Sequence, residues 1–299
     1  MDLQTIHLHA GGATTGVEDL VVWLAANRAG LRRAGYGLFC FDVLGTGDDS
    51  FANALPANLS SEADVGHAAS RLAARFAPDR KAGSDGFVVA APDMAGPTGE
   101  LMLGRFHTQA RARARLMRAA LGQGVDRLVL AVQPYEVLFH SAWMAMALDR
   151  RMEPFSDYAD ALSRFEGGWA DLATALCEEL DVRELVLQVA PTAAPQTLGQ
   201  LVPGLTLRQP IEPLPKPRVT RSAVAMVQRL LAQGTRLQPG QRDRLIAFHA
   251  RQPQNSPDHG FSPGALADLR GRYVADLDML TRGLGARIVG APAAVIAAE

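Results

Sequence analysis

The sequence predicts an α/β fold in which helices flank a central, mainly parallel sheet. Short apolar runs alternate along the chain with segments of helical spacing, and this alternation implies crossover connections between parallel strands. Residues 87–91 are almost continuously apolar, as expected of a parallel strand that is covered on both faces. With 299 residues, 48% of them hydrophobic, the chain has enough apolar side chains to cover both faces of such a sheet.

The strands are predicted where apolar runs are bounded by glycine, proline or polar residues. They cover residues 3–8, 36–43, 87–91, 127–132 and 184–189. The helices are predicted from apolar residues three and four apart, with Ser60 or Ser61 as an N-cap and Pro263 in a first turn. They cover residues 16–34, 61–76, 108–121, 136–150, 169–180, 219–232, 239–251 and 263–282.

The whole chain, residues 1–299, is expected to form one domain. Residues from about 190 to 218 are rich in Pro, Gly and Thr, and they predict a long irregular connection that wraps one edge of the sheet. Residues 219–299 are expected to be the C-terminal helical part of the same domain.

Composition excludes several broad classes of function. A formal net charge of −1 argues against general attraction to nucleic acid or to anionic membranes. Cys40 and Cys177 lie far apart without metal-type spacing, so they are expected to be buried free thiols, and no metal site is predicted. The N-terminus has no signal-peptide pattern and no apolar run approaches 18 residues, so a cytoplasmic protein without a membrane span is expected.

The motif that carries chemistry lies at the start of the chain, where a strand, a glycine-bearing turn and a helix follow one another. Gly11 and Gly16 have the spacing G-x-x-x-x-G, in which backbone N–H groups and a helix N-terminus surround an anion. A phosphate-binding loop continues with a lysine and a hydroxyl, whereas Val17 and Glu18 follow here. The stretch therefore has the frame of a phosphate loop without its cation.

Residues 9–28 also match a longer pattern, H-x-G-x-H-K-T-G-T-T-S-L-Q-x-x-L-A-A-N-R. Without a gap, they agree at His9, Gly11, Thr15, Gly16, Leu20 and the run Leu-Ala-Ala-Asn-Arg at residues 24–28. This pattern is the signature of bacterial sulfotransferases, which the chain therefore resembles. Residues 87–96, 127–143 and 261–280 are similar to three further segments of that family in order and spacing.

The resemblance implies a three-layer fold like that of P-loop nucleoside triphosphatases. Sulfotransferases move a sulfonate from 3'-phosphoadenosine 5'-phosphosulfate (PAPS) to a hydroxyl or an amine, which requires cations and N–H donors at the phosphate and a base for the acceptor. His9 and Asp93 are the catalytic candidates on this resemblance. The donor-binding candidates are Gly11, Gly12, Ala13, Thr14, Thr15, Gly16, Gln133 and Ser141.

The chain departs from the family where the chemistry needs charge. The family's lysine falls on Thr14, its two hydroxyls on Val17 and Glu18, its arginine on Gln133 and its acid on Pro92. A carboxylate about 4 Å from a bound anion repels it by roughly 4 kcal/mol at an effective dielectric near 20, which is near a thousandfold in affinity. The departures therefore act together against binding of the donor.

The leading hypothesis is a sulfotransferase-like protein whose phosphosulfate site has decayed and whose fold serves binding or assembly. No cofactor is certain, and PAPS or its product 3'-phosphoadenosine 5'-phosphate (PAP) binds only if the donor site survives. A small-molecule or carbohydrate ligand and a protein partner both stay open. A nucleotide kinase is disfavoured by the missing lysine.

Two alternatives retain a specific role for other residues. One is an active sulfotransferase that acts on a carbohydrate or small hydroxyl acceptor, with cations from Arg28, Arg105 or Arg111 and His9 or His140 as base. The other is an interaction partner of an active relative, which exposed apolar surface around tryptophan would favour. The tryptophans in question are Trp143 and Trp169.

Arginine and histidine side chains complete the candidates. The helix predicted over 108–121 is expected to present its arginines on a solvated face, with an anionic ligand as the alternative. His7 and His9 are expected to point to opposite faces of the first strand, and His9 is expected to face the loop. The arginines of that helix are Arg111, Arg113, Arg115 and Arg118.

Overall fold

A computed structural model describes most of the chain, and its described residues form one parallel sheet with strand order β2-β3-β1-β4-β5-β6. The strands are β1 (Thr5–Ala10), β2 (Tyr36–Cys40), β3 (Gly86–Ala91), β4 (Arg127–Ala131), β5 (Glu184–Gln188) and β6 (Arg287–Val289). The structure describes residues 4–11, 15, 17–41, 51–56, 61–92, 94, 97–213, 217–253 and 260–290; at 17, 18, 51 and 52 it describes the backbone alone.

Helices connect the strands and cover the sheet. Ser61, predicted as an N-cap, accepts a hydrogen bond from the Asp64 N–H at 3.1 Å, as a helix start requires. The helices are α1 (Val17–Ala26), α2 (Arg28–Arg33), α3 (Phe51–Ala54), α4 (Glu62–Ala82), α5 (Thr98–Leu101), α6 (Ala110–Leu121), α7 (Tyr135–Ala147), α8 (Ser156–Ser163), α9 (Trp169–Leu180), α10 (Ala194–Leu201), α11 (Arg221–Ala232), α12 (Pro239–Ala250) and α13 (Pro263–Gly283).

Both faces of the sheet are covered, because successive strand residues alternate between them. On one face, Val129 and Val186 pack beneath apolar side chains of α1, α2 and α10. On the other, Leu8, Val89 and Leu128 pack beneath α4, α6 and α9. The predicted α/β fold with a central parallel sheet between helical layers is confirmed.

The order of the strands places a switch point at the carboxyl ends of the central strands β1 and β4. From β1 the chain crosses to β2 over the face that carries α1 and α2, whereas from β4 it reaches β5 by way of α7 and α9 on the opposite face. β1 and β4 are neighbours in the sheet, and the connections that leave them run in opposite directions over opposite faces. In open parallel sheets, ligands bind outside the carboxyl ends of strands at such a switch point.

The first elements differ from the prediction at their ends. β1 begins and ends two residues later than the predicted strand 3–8. The helix predicted over 16–34 is two helices, α1 and α2, which meet at Asn27. The Asn27 amide donates to the carbonyl oxygens of Trp23 at 2.9 Å and Ile211 at 2.8 Å, so this junction holds a distant segment of the chain against α1.

The segment predicted as a long irregular connection, about 190–218, contains the helix α10. Pro195 stands in its first turn, and Leu198 and Leu201 are buried against the sheet. The prediction was wrong here because Pro and Thr in a helix's first turn read as loop residues. The part predicted as helical, 219–299, also contributes the edge strand β6, which pairs with β5.

Candidate functional site

A pocket with a volume of about 100 Å³ lies at the carboxyl ends of β1, β4 and β5, on the face covered by α1 and α10. Three strands, the start of α1 and the segment after β5 contribute to its wall. It is lined by His9, Thr15, Asp19, Leu20, Ala131, Gln188, Pro191, Thr192, Ala194 and Thr197.

His9 is the most deeply buried polar group of this pocket. Its side chain is 1% exposed, and neither ring nitrogen meets hydrogen-bond geometry with any residue that the structure describes. Burial lowers the pKa of His9 to about 4, although the nearby Gln188 amide favours the protonated form. The imidazole is therefore neutral near pH 7, with one ring nitrogen a donor and the other an acceptor.

The wall opposite His9 is polar but largely uncharged. The Thr197 hydroxyl donates to Gln188 Oε1 at 3.4 Å, and the Thr192 and Thr197 hydroxyl oxygens lie 2.7 Å apart. Asp19, exposed in the first turn of α1, brings the one carboxylate among the lining residues that the structure describes. Neither arginine nor lysine belongs to that lining, so the described surface of the pocket is neutral to negative at pH 7.

The structure brings together two of the predicted site residues, His9 and Thr15, in the wall of this pocket. Gly11, buried just beyond β1, lies between them in the chain. Several predicted residues lie outside the described part of the chain, so their roles stay predictions. They are Gly12, Ala13, Thr14, Gly16 and Asp93, together with the side chains of Val17 and Glu18.

Gln133 and Ser141, predicted to hold the donor's 3'-phosphate, do not belong to the lining of the His9 pocket. The Gln133 carbonyl, just beyond β4, accepts a hydrogen bond from the Trp169 indole at 2.9 Å. Ser141 lies within α7, partly buried. Their contact with the 3'-phosphate of a donor stays a prediction.

The two histidines of β1 share a face of the sheet. The expectation that they point to opposite faces was wrong, because residues two apart in a strand lie on the same side. His9 reaches the pocket, whereas His7 Nε2 lies 3.1 Å from the Thr5 hydroxyl, further from the carboxyl end. His140, the other candidate base, packs between the rings of Trp143 and Phe155 and does not line this pocket.

The arginines proposed as substitute cations lie outside the His9 pocket, and two of them form ion pairs with carboxylates. Arg28 binds Asp79 at 2.7 Å, and Arg111 binds Glu178 at 2.8 Å and Glu179 at 2.7 Å. Arg105 is exposed, and like the other two it does not line the His9 pocket.

The arginine-bearing helix α6 is solvated along only part of its surface. Arg111 and Arg115 both bind Glu179 of α9 at the surface, as expected of a solvated face. Arg113 is 5% exposed, so the prediction was wrong for this residue. Arg113 lies two residues from each of the other two, which turns it toward the interior in a helix of 3.6 residues per turn.

A second buried polar cluster joins α7, α9 and α13. The Tyr135 hydroxyl donates to Asp276, and the Trp169 backbone N–H lies 2.8 Å from Tyr135 Oη and 2.9 Å from Asp276 Oδ2. Burial, together with the Asp276 carboxylate, raises the pKa of Tyr135 above its ordinary value. We call Tyr135, Trp169 and Asp276 the tyrosine cluster.

The sequence analysis missed the four other polar residues of the described lining, namely Asp19, Gln188, Thr192 and Thr197. Gln188 did carry a signal, because it is a polar residue directly after the buried apolar run 185–187. The two threonines lie in the segment predicted as irregular, where nothing in the sequence ties them to β1.

The comparisons with known proteins leave the family assignment open. No model of a protein family matches the chain, and no curated protein matches it. The likeness to bacterial sulfotransferases therefore stays a prediction. Within the described residues no three His, Cys, Asp or Glu side chains cluster closely enough to hold a metal ion, and none of the helices there has the length and apolar character to span a bilayer.

Proposed function

We propose that this protein is sulfotransferase-like, that its phosphosulfate site has decayed, and that it acts in binding or assembly and not in sulfonate transfer. The observation that carries this proposal is the charge of the pocket at the carboxyl end of β1. Its described lining has one carboxylate, Asp19, a neutral His9 and no cationic side chain.

The electrostatic attraction that an anion would lack in this pocket is large enough to favour loss of donor binding. An anion that lacks a cationic partner about 4 Å away forgoes roughly 4 kcal/mol at an effective dielectric near 20, which is close to a thousandfold in affinity. The Asp19 carboxylate adds repulsion, which is smaller because the side chain is exposed and screened by salt. PAPS carries several negative charges, so these effects accumulate.

The size of the pocket points the same way. Its volume of about 100 Å³ lies well below the roughly 300–1,000 Å³ of sites that enclose a drug-sized ligand. A nucleotide with phosphates at both ends needs at least the larger space. The described pocket fits a fragment of such a ligand.

An active sulfotransferase with substitute cations has less support. Arg28 and Arg111 are engaged with carboxylates, and neither lines the pocket. A base works best when its pKa lies near the working pH, whereas the pKa of His9 is about 4. Of the two tryptophans that could mark a protein-partner surface, Trp169 is fully buried and gives no exposed apolar surface, whereas Trp143 is partly exposed.

Isothermal titration calorimetry of the full chain with PAP tests the proposal. We expect no saturable heat up to about 1 mM nucleotide, because the loss of one charged contact alone moves a micromolar affinity to the millimolar range. An active PAPS-dependent sulfotransferase titrated with the same PAP stock serves as the positive control. Binding of PAP to this protein at low micromolar affinity would overturn the proposal.

A further inference from the structure

The His9 pocket is assembled from neutral hydrogen-bonding groups. The imidazole, the Gln188 amide and the Thr192 hydroxyl each combine a donor with an acceptor at pH 7. Both His9 nitrogens are buried, and neither makes a well-formed hydrogen bond with a described residue; the Gln188 side chain is near enough to act on the ring, which leaves at least one nitrogen for a ligand. Buried polar groups are usually paired, and an exception that lines a pocket points to a ligand.

The chemistry of the wall selects among ligand classes. A hydroxyl donates and accepts at one oxygen, so it can pair with either nitrogen of a neutral imidazole and with an amide or a threonine. An anion would offer acceptors alone and would meet the Asp19 carboxylate at the exposed side of the pocket. A small molecule with neighbouring hydroxyl groups matches the wall better than a phosphate or a carboxylate does.

The volume sets the size of that ligand. About 100 Å³ is several times the roughly 10–15 Å³ that one buried water requires. It is too small for a nucleotide. A molecule with about six non-hydrogen atoms is of the right order.

We propose that the pocket between β1, β5 and α10 binds a small uncharged ligand with neighbouring hydroxyl groups, which pair with Gln188, Thr192 and His9. This inference rests on the proposed function, since a pocket built for phosphosulfate would need cations in the same place. The chain then keeps the position of an inherited site and has changed the class of ligand that it takes.

Three probes with one carbon skeleton test the ligand class. Glycerol is uncharged, glycerate is its anionic counterpart, and 3-aminopropane-1,2-diol is its cationic counterpart. The full chain with labelled histidine is titrated with each while the ring resonances of His9 and His7 are followed by NMR. We expect glycerol to shift the His9 resonances with a dissociation constant on the order of millimolar, and glycerate to bind at least about tenfold more weakly.

His7 supplies the internal control, because it lies on the same face of β1 and outside the pocket. Its resonances should stay in place, and His7→Phe should bind glycerol like the wild type. His9→Phe, which keeps a ring without nitrogen atoms, should lose glycerol binding by about tenfold or more. If His9→Phe does not fold, the His9 shifts in the wild-type chain decide the question alone.

Three results would overturn the inference. Glycerate binding as tightly as glycerol would assign the pocket to anions, and tighter binding of the amine would assign it to cations. A glycerol response that does not saturate, or that moves His7 and His9 alike, would show no site. Each of these results leaves the proposed function standing if PAP still fails to bind, so the two failures are distinguishable.

Discussion

The His9 pocket and the tyrosine cluster are both buried and polar, yet they differ in how their hydrogen bonds are used. In the tyrosine cluster, the Tyr135 hydroxyl, the Asp276 carboxylate and the Trp169 N–H satisfy one another. In the pocket, neither nitrogen of His9 makes a well-formed hydrogen bond with a described residue, and only the Gln188 side chain lies near enough to act on the ring. A buried network whose groups pair with one another stabilises the fold, whereas buried polar groups without full pairing at the carboxyl ends of the strands are available to a ligand.

The largest expected effect comes from opening the closed network. Asp276→Ala leaves the buried Tyr135 hydroxyl without its acceptor, at about 1–3 kcal/mol, and breaks the charge-assisted bond from the Trp169 N–H, worth about 1.5–3 kcal/mol, although that N–H keeps Tyr135 Oη. We expect the free energy of unfolding to fall by about 4 kcal/mol in urea titrations followed by circular dichroism. Asp278→Ala on the same helix breaks only an exposed pair with Arg282 and should change stability by less than about 1 kcal/mol. Equal losses for the two variants would refute a structural role for the cluster.

Protonation of the open site should have the next largest effect. The folded-state pKa of His9 is lowered to about 4 from 6.5, so the unfolded chain binds the proton more tightly. Titration of His9 therefore leaves the free energy of unfolding unchanged above pH 6.5 and lowers it by about 3 kcal/mol in total as the pH falls from 6.5 toward 4.

His9→Phe isolates that contribution. Urea titrations of the wild type and the variant between pH 4 and 8 should show a stability difference that changes by about 3 kcal/mol in favour of the variant as the pH falls. At pH 8 the variant should lie within about 1 kcal/mol of the wild type, because a buried polar ring that lacks a well-formed hydrogen bond is replaced by an apolar one. Parallel pH profiles of the two proteins would contradict a buried, neutral His9.

A smaller effect is expected from crowding the tyrosine cluster. A Cβ added at Gly168 would lie 2.6 Å from Asp276 Oδ2 and 2.8 Å from Tyr135 Oη, so the hydrogen-bonded groups must separate. We expect Gly168→Ala to lower the melting temperature and to cost about 2 kcal/mol. Gly271→Ala in α13, where nothing lies within 4 Å of the added Cβ, should be neutral or stabilising by up to about 1 kcal/mol. A stable Gly168→Ala would show that the cluster adjusts freely.

The fold could be predicted from sequence because its signals are local. Apolar runs such as that of β3 and the helical spacing of α9 define elements within a few residues, and their alternation implies a parallel sheet. β6 was missed because a three-residue strand at a sheet edge carries too short an apolar pattern. α10 was missed because its first turn holds the residues that usually mark loops.

The pocket could be predicted only on the side of β1. His9 and Thr15 follow from the turn at the end of the first strand, whereas Gln188 and Thr197 lie more than 170 residues further along the chain. They reach His9 because β4 and β5 are placed beside β1, and that order of strands is a property of long-range packing. The interior position of Arg113 has the same origin, since it depends on which face of α6 meets its neighbours.

We propose that the pocket at the carboxyl end of β1 does not bind a phosphosulfate nucleotide. The most direct measurement follows the ring resonances of His9 by NMR while the full chain is titrated with PAP at pH 7. We predict that these resonances do not move up to about 1 mM PAP, because the described lining offers no cationic side chain. A saturating shift of His9 at micromolar PAP would contradict the account.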